Sequence, residues 1–359
     1  MTPSFYADIY RVSGIIKTMK LPNQQTANET CARTISDLAS GLASGFTIGP
    51  TPKSLIPQRD AMLQKSLRPD SMEFNIAAEY PLVLDQTTSA LATSFSVFTQ
   101  DSVAGHANLF ARRFTFTETG ESFNIGLVGN VATDAAWRGR GLMRMLFDEI
   151  TSQAQSQGLS VLVLWSDLLE FYQKLGFTSL GLEHRYHLLR AGCTPSDHQK
   201  VRMLAGSRVD HALATELLRL RCLAAGTLER SAMEFQKLLT IPDTFLFVAT
   251  ENSVVHGFAI VGKGADMVGV IHEWGIKNPG QQGDIVALAG SIMDEVRTDE
   301  LCLLAPSTLD LVQQRRLELA AASVEKVPMA LGMKNPQSPQ ADAAWEALSQ
   351  GFLWGLDSI

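Results

Sequence analysis

One stretch, Asn130 to Phe177, restricts the fold of this chain more than any other. It opens Asn-Val-Ala-Thr-Asp-Ala-Ala-Trp-Arg-Gly-Arg-Gly-Leu-Met-Arg-Met-Leu and closes Glu-Phe-Tyr-Gln-Lys-Leu-Gly-Phe. Phe123 to Val131 reads as a strand. Leu142, Leu146 and Ile150 then recur at four-residue spacing, with Met143, Phe147 and Ala154 beside them, which is the period of an amphipathic helix. Gly158 is a stop signal for that helix. Ser160 to Trp165 is a short apolar run rich in Val and Leu, the composition of a buried parallel strand. Strand, loop, helix and strand make a crossover unit, and such units are right-handed. Arg138, Gly139, Arg140 and Gly141 fall where loop becomes helix. A helix start carries unpaired backbone N–H groups and the positive end of the helix dipole, so it attracts phosphate. Glycines let the backbone come close to an anion, and arginines add charge-assisted hydrogen bonds. The competing reading is an ordinary glycine-containing turn with surface arginines.

These residues resemble the GNAT acyl-CoA-dependent N-acetyltransferases. The first signature of that family is a basic residue, two variable residues, Gly, one variable residue, then Gly or Ala. Arg138, Gly141 and Met143 fill those places, and Met143 departs from the small residue of the pattern. The second signature, Tyr followed within a few residues by Gly-Phe, is met by Tyr172, Gly176 and Phe177. Both occur in order, separated by one helix and one strand. The resemblance implies an α/β (α+β) fold with a mixed, mostly antiparallel sheet flanked by helices. It also implies acetyl-CoA as the acyl donor, held by Val131, Ala132 and Thr133 on the strand and by Arg138, Gly139, Arg140, Gly141, Leu142 and Met143 on the loop and helix start.

Composition limits the alternatives. The chain has 359 residues, which suggests roughly two domains, and at 45% apolar and 19% charged it can bury real cores. A net charge of −7 disfavours a general nucleic-acid binder. Cys31, Cys193, Cys222 and Cys302 are scattered without paired spacing, so neither a zinc site nor a disulfide framework is expected. Reduced thiols and the lack of any long apolar run or signal-peptide core point to a cytoplasmic protein away from the membrane. A homo-oligomer is left open.

Residues 1–57 are rich in Thr, Ser, Asn and Gly and read as a poorly defined extension, with a weak helix over Thr30–Leu42. Residues 58–192 read as the catalytic domain, its fold proper starting near Ser66. Strands are expected at Ser94–Thr99, Val103–Phe116 and Phe123–Val131, and a last one at Ser179–Leu189. After the linker-like run at 191–199, residues 193–359 read as a second domain. Helices are expected at Val209–Ala225, Ile285–Val296 and Leu309–Ala322. Strands are expected at Phe245–Thr250, Val254–Lys263, Met267–Ile276, Glu300–Leu304, Val327–Met333 and Phe352–Leu356. The order roughly repeats that of the first domain, yet Lys277 to Asp284 lacks the Arg-Gly-Arg-Gly spacing. The whole therefore resembles a tandem of GNAT-like domains with one competent half, as in mycothiol synthase and the enhanced-intracellular-survival acetyltransferases.

Acetyl transfer from a thioester to an amine needs a held cofactor, a donor for the carbonyl oxygen, a base for the amine and an acid for the departing thiolate. The resemblance implies the backbone N–H of Val131 as the donor. Tyr172 is the candidate acid, because a phenol with pKa about 10 is protonated at neutral pH; the alternative is a half-buried packing aromatic. Asp134, Asp167 and Glu170 read as solvated or capping charges. His272-Glu273-Trp274 reads as a structural triplet, with no spacing for a metal. Phe352, Trp354 and Leu356 share one strand face, which suggests an anchored chain end. The survival-protein resemblance implies the carboxylate of Ile359 as the base, perhaps beside Asp357; the alternative is a terminal strand that only packs. The expected activity is N-acetylation of an amine on a small molecule or peptide, and the alternative is a non-catalytic acyl-CoA-binding or regulatory protein.

Overall fold

The computed structural model describes residues 45–69, 75–85, 87, 93–117, 119–196, 199–221, 225–277 and 285–359. The helix expected over Thr30–Leu42, the loop at 278–284, Cys31 and Cys222 lie outside them. The ordered fold starts earlier than composition suggests. Strand β1 (Thr47–Pro50) pairs antiparallel with β2 (Ser94–Phe98), and helix α1 (Ile56–Leu67) lies between them in the chain. Pro57 sits in the first turn of α1, where its missing N–H costs nothing. Met62 and Leu63 are buried with Val103 and Ala132 in one apolar cluster. The short helix α2 (Ile76–Glu79) is capped by Asn75, whose side chain accepts from Ala77 N at 2.9 Å.

Next come β3 (Val103–Phe116), β4 (Ser122–Thr133), helix α3 (Leu142–Ser156), β5 (Val161–Leu164), helix α4 (Leu169–Gln173) and β6 (Thr178–Leu189). After β7 (Lys200–Leu204) follow helix α5 (His211–Leu220), β8 (Gly226–Leu228), helix α6 (Ala232–Leu238), β9 (Phe245–Glu251), β10 (Val254–Val261) and β11 (Val270–Ile276). Helix α7 (Ile285–Val296), β12 (Glu300–Pro306), helix α8 (Leu311–Ala320), β13 (Ala321–Lys334) and helix α9 (Ala341–Gln350) complete the described elements. Helix α9 has no counterpart in the sequence reading. Its buried face is Ala341, Ala344, Ala347 and Leu348.

The strands form a 13-stranded sheet in the order β1-β2-β3-β4-β5-β13-β6-β12-β11-β10-β9-β7, with β8 paired to β3. It is a mostly antiparallel sheet flanked by helices. The parallel pairs are β4 with β5 and β11 with β12. At the centre, β13 lies between β5 and β6, and β6 lies between β13 and β12. Each half of the sheet thus receives a strand from the other half of the sequence.

Both parallel pairs are short. The β4–β5 ladder covers Ile125–Leu127 against Val161–Val163, and the β11–β12 ladder covers Val270–Ile271 against Cys302–Leu303. Beyond these points the strands diverge, and the two gaps are treated differently. Beside β11 the chain fills the space itself. Trp354 meets Trp274 edge-on at 5.9 Å, Arg221 bridges to Gly275, and a Cβ on Gly355 would strike the His272 ring. Arg230 donates to Glu273 at 2.7 Å and to Asp357 at 2.5 Å, all three buried. Burial pushes the Glu273 carboxyl up, and Arg230 pulls against that.

The His272-Glu273-Trp274 triplet is structural, as expected. His272 Nε2 donates to Gly262 O at 2.9 Å, and Trp274 Nε1 donates to Leu304 O at 3.0 Å. The strand expected at Phe352–Leu356 is instead coil followed by a 3₁₀ turn at Gly355–Asp357. Phe352, Leu353 and Trp354 are all buried, so burial does not alternate as it would on a one-faced strand. The segment is held by packing, by Phe352 N donating to Gly226 O, and by Asp357 accepting from Trp354 N at 2.9 Å.

His106 and His272 are fully buried, and burial pushes both imidazoles down to about 3. The unfolded chain binds protons at these sites near pH 6.5, where the native chain does not. Stability is therefore full above about pH 6.5 and is lost as pH falls toward about 3. We expect the melting temperature to fall across that window, and to fall less steeply in His272→Phe. A melting temperature that is flat with pH would contradict this account.

Candidate active site at the strand splay

The gap between β4 and β5 is open. It forms a cavity of about 640 Å³ lined by Val131, Ala132 and Thr133 from β4, by Arg138 to Arg144, and by Leu168, Phe171 and Tyr172. The residues proposed from sequence for the cofactor therefore come together, and Tyr172 joins them. Sequence reasoning missed Ser66 and Leu67 at the end of α1, and also Trp137.

The loop is built from its own chemistry. Asp134 caps a 3₁₀ turn at Ala135–Trp137, its Oδ1 accepting from Ala136 N at 2.8 Å. Arg138 Nε donates to Thr133 O at 3.1 Å, which ties the loop back to the strand. Arg140 lies over the Trp137 ring at 4.7 Å. Gly139 and Gly141 have φ of 74° and 77°, the left-handed region where a Cβ brings strain. Gly141 is the N-cap of α3, so the first N–H groups of the 15-residue helix face the cavity without intrahelical partners. Leu142 and Met143 bury their side chains in the core with Leu146 and Phe147. The Met143 side chain is thus drawn into that core, and the residue also borders the cavity.

Tyr172 sits on α4 with 5% of its surface exposed. Phe147, Phe171 and Phe177 contact its ring edge-on at 5.9, 5.0 and 5.9 Å. Burial pushes its phenol up to about 12, opposed by a hydrogen bond with Ser166. The phenol stays protonated throughout the neutral range.

The floor of the splay is a β-bulge. The β3–β4 register runs His106↔Ala132 and then Asn108↔Gly129, so Asn130 and Val131 face the single residue Ala107. Asn130 takes φ of 49°, a conformation Asn tolerates better than most side chains. His106 Nδ1 lies 3.0 Å from Asn130 O, and its Nε2 lies 2.9 Å from Ser94 Oγ. A carbonyl only accepts, so Nδ1 carries the proton. Asn108 Nδ2 donates to Thr93 Oγ1 at 3.0 Å and toward Val83 O at 3.3 Å. Its Oδ1 is thereby left to accept from Asn130 Nδ2 at 3.2 Å.

Ile359 does not line the cavity. Its carboxyl end packs against β4 at Gly129, where a Cβ would collide with it. Lys263 Nζ, fully buried, holds the preceding turn through Gly355 O at 3.0 Å, Ser358 O at 2.5 Å and Ser358 Oγ at 2.6 Å. Asp357 is committed to Arg230 and to Trp354 N, which removes it as a partner for the cleft. Among the described residues no group of three or more His, Cys, Asp and Glu could hold a metal ion. Among them, too, no helix is long and apolar enough to cross a membrane.

A splayed parallel pair, a glycine-containing loop at a helix start and a buried tyrosine thus meet on one cavity. Residues 76–180 match the family described as acetyltransferase (GNAT) domain. No curated protein matches the sequence. Among solved structures, a probable N-acyltransferase from Enterococcus faecalis V583 is similar with a TM-score of 0.61 at 15% identity, over 82% of this chain and 74% of that one. A GCN5-related N-acetyltransferase from Anabaena variabilis gives 0.58 at 13%, over 81% and 73%. Eis1 from Mycobacterium abscessus gives 0.55 at 14%, over 81% and 74%. The family match is confined to residues 76–180, and the likeness to these solved structures is one of fold.

A methyl group at Gly129 must displace the carboxyl end of Ile359. We expect Gly129→Ala to speed amide exchange at Ser358 and Ile359 while Leu127, inside the β4–β5 ladder, keeps its protection. Unchanged exchange at both chain-end residues would show that the segment is not seated on β4.

Proposed function

We propose that this protein is an acetyl-CoA-dependent N-acetyltransferase that acts in the cytoplasm on a primary amine of a small molecule or peptide. The observation that carries the reading is that Val131, the Arg138–Met143 loop and Tyr172 line one cavity. In this reading the N–H groups at the start of α3, with Arg138 and Arg140, hold the pyrophosphate. The free edge of β4 takes the pantetheine arm, and Val131 N–H donates to the thioester oxygen. The amine nitrogen attacks the carbonyl carbon. As the tetrahedral centre collapses the C–S bond breaks, and Tyr172 gives its proton to the leaving sulfur. The amine proton passes by way of water to the Ile359 carboxylate, which lies outside the cavity lining, against β4 two residues before Val131. Residues 193–359 act as a second GNAT-like half whose own splay is filled by Trp354, Gly355 and Arg221, so one acetyl-CoA binds per chain.

Release of free CoA with a panel of primary amines, including n-hexylamine and Nα-acetyl-lysine amide, tests the activity. Tyr172→Phe should lower turnover about 10²–10⁴-fold with acetyl-CoA affinity retained. With the phenol pushed to about 12, the acid stays protonated as pH rises through 10, so turnover shows no alkaline break there. Wild-type turnover in Tyr172→Phe would make the residue a packing aromatic. A protein that binds acetyl-CoA and releases CoA with none of the amines would be a binding protein.

Calorimetry supplies a separate check. Gly141→Val should weaken acetyl-CoA binding, because it strains a left-handed position and crowds the anion site. Wild type should titrate with one site. Two equivalent sites would contradict the assignment of the second half. Appending residues after Ile359 moves the carboxylate away, and an extended protein that turns over at the wild-type rate would exclude it as the base.

A further inference from the structure

The peptide group joining Asn130 to Val131 has two ends. One is the Asn130 carbonyl, held by His106 Nδ1 at 3.0 Å. The other is the Val131 N–H. No cis peptide is present among the described residues, so this unit is planar and trans and its C=O and N–H point in opposite directions. A hand on the carbonyl therefore sets the direction of the N–H. The N–H therefore points away from the His106 ring, and Val131 lines the cavity.

We propose that His106 and Asn108 are positioning residues that lock the β4 bulge and so aim the Val131 N–H at the thioester oxygen. The proposal rests on the reading of Val131 as the carbonyl donor. Two groups grip the same residue from one side: His106 takes the backbone carbonyl of Asn130, and Asn108 Oδ1 takes its side-chain amide at 3.2 Å. Both are fully buried and both are braced. Behind His106 stands Ser94, whose Oγ accepts from the buried Arg59 Nη1 at 3.2 Å. Arg59 in turn belongs to α1 and donates to Leu84 O at 2.9 Å. Behind Asn108 stand Thr93 and Val83. The bulge needs such a lock. Asn130 holds a positive φ in a place where two β4 residues face one on β3, so the ladder alone does not fix this peptide plane. Hydrogen-bond catalysis at a developing oxyanion depends on the donor being aimed in advance.

The test reads the carbonyl itself. Acetyl-CoA labelled with ¹³C at the acetyl carbonyl is bound to the protein, and its carbonyl chemical shift is followed by NMR, so no acceptor amine is needed. A hydrogen bond from Val131 moves the resonance downfield in the wild type. His106→Leu should lose that displacement while the acetyl-CoA Kd stays within about threefold, because the phosphate contacts lie on the Arg138–Met143 loop and the start of α3. Turnover with the best amine of the panel should drop about 10–100-fold, the scale of a small misplacement. His106→Asn keeps an amide donor near the Nδ1 position and should restore most of both readouts. Asn130→Gly, which keeps the positive φ without strain and drops only the bond to Asn108, should give a smaller loss. A wild-type carbonyl shift in His106→Leu overturns the proposal, as does the same result in Asn130→Gly should His106→Leu fail to fold. Absence of any displacement in the wild type instead removes Val131 as donor, and with it the basis of the lock.

Discussion

The pairing of β6 with β13 is the interaction on which the rest depends. It is a long antiparallel ladder, running from Ala321↔Leu188 to Gly332↔Thr178. On its two flanks sit β5 and β12, the strands after which each parallel pair opens. A sheet that ended at β5 would leave that edge unpaired in the floor of the cleft. The exchange removes both inner edges at once. It also pairs β5, one border of the first splay, with residues near the far end of the sequence, Leu331–Lys334.

That arrangement explains why two similar gaps meet different fates. The chain emerging from α9 crosses the β11 gap first and deposits Phe352, Trp354 and Gly355 there, closing it with aromatic rings. It then continues to Gly129, on the strand that borders the other gap. The buried ions follow the same route. Arg230 and Lys263 fasten Asp357 and the Ser358 turn, so charge is spent on fixing a path rather than on contributing net stability, as is usual for buried pairs.

Much of this was legible in local pattern. The strands at Val103–Phe116 and the helix at Ile285–Val296 lie where alternation and four-residue spacing put them. The loop residues and Tyr172 meet in one cavity because strand, loop, helix and strand are contiguous in sequence and their crossover has one hand. What was not legible is long-range. Nothing in the composition of Ala321–Lys334 says that it pairs with Val161–Leu164 rather than with its own neighbours. The alternation of Phe352, Trp354 and Leu356 imitates a strand, but Leu353 is buried as well, because the segment is enclosed on all sides. His106 gave no signal, because a lone histidine in a strand reads as core until the bulge opposite it is seen. Helix α9 was readable, its buried Ala341, Ala344 and Leu348 standing at helical spacing with good helix formers between them.

The exchanged strand has a consequence for biogenesis. As the chain leaves the ribosome, β5 is finished long before Leu331, its eventual neighbour, has been made. At common rates of synthesis that interval is on the order of ten seconds. During it the edge of a Val- and Leu-rich strand is exposed, which is the condition under which nascent chains recruit chaperones or pair wrongly with one another. The β5 edge is paired only by contacts of very large sequence separation, and such topologies fold slowly. Truncations that look like clean domain cuts would therefore leave the β5 edge without its partner strand.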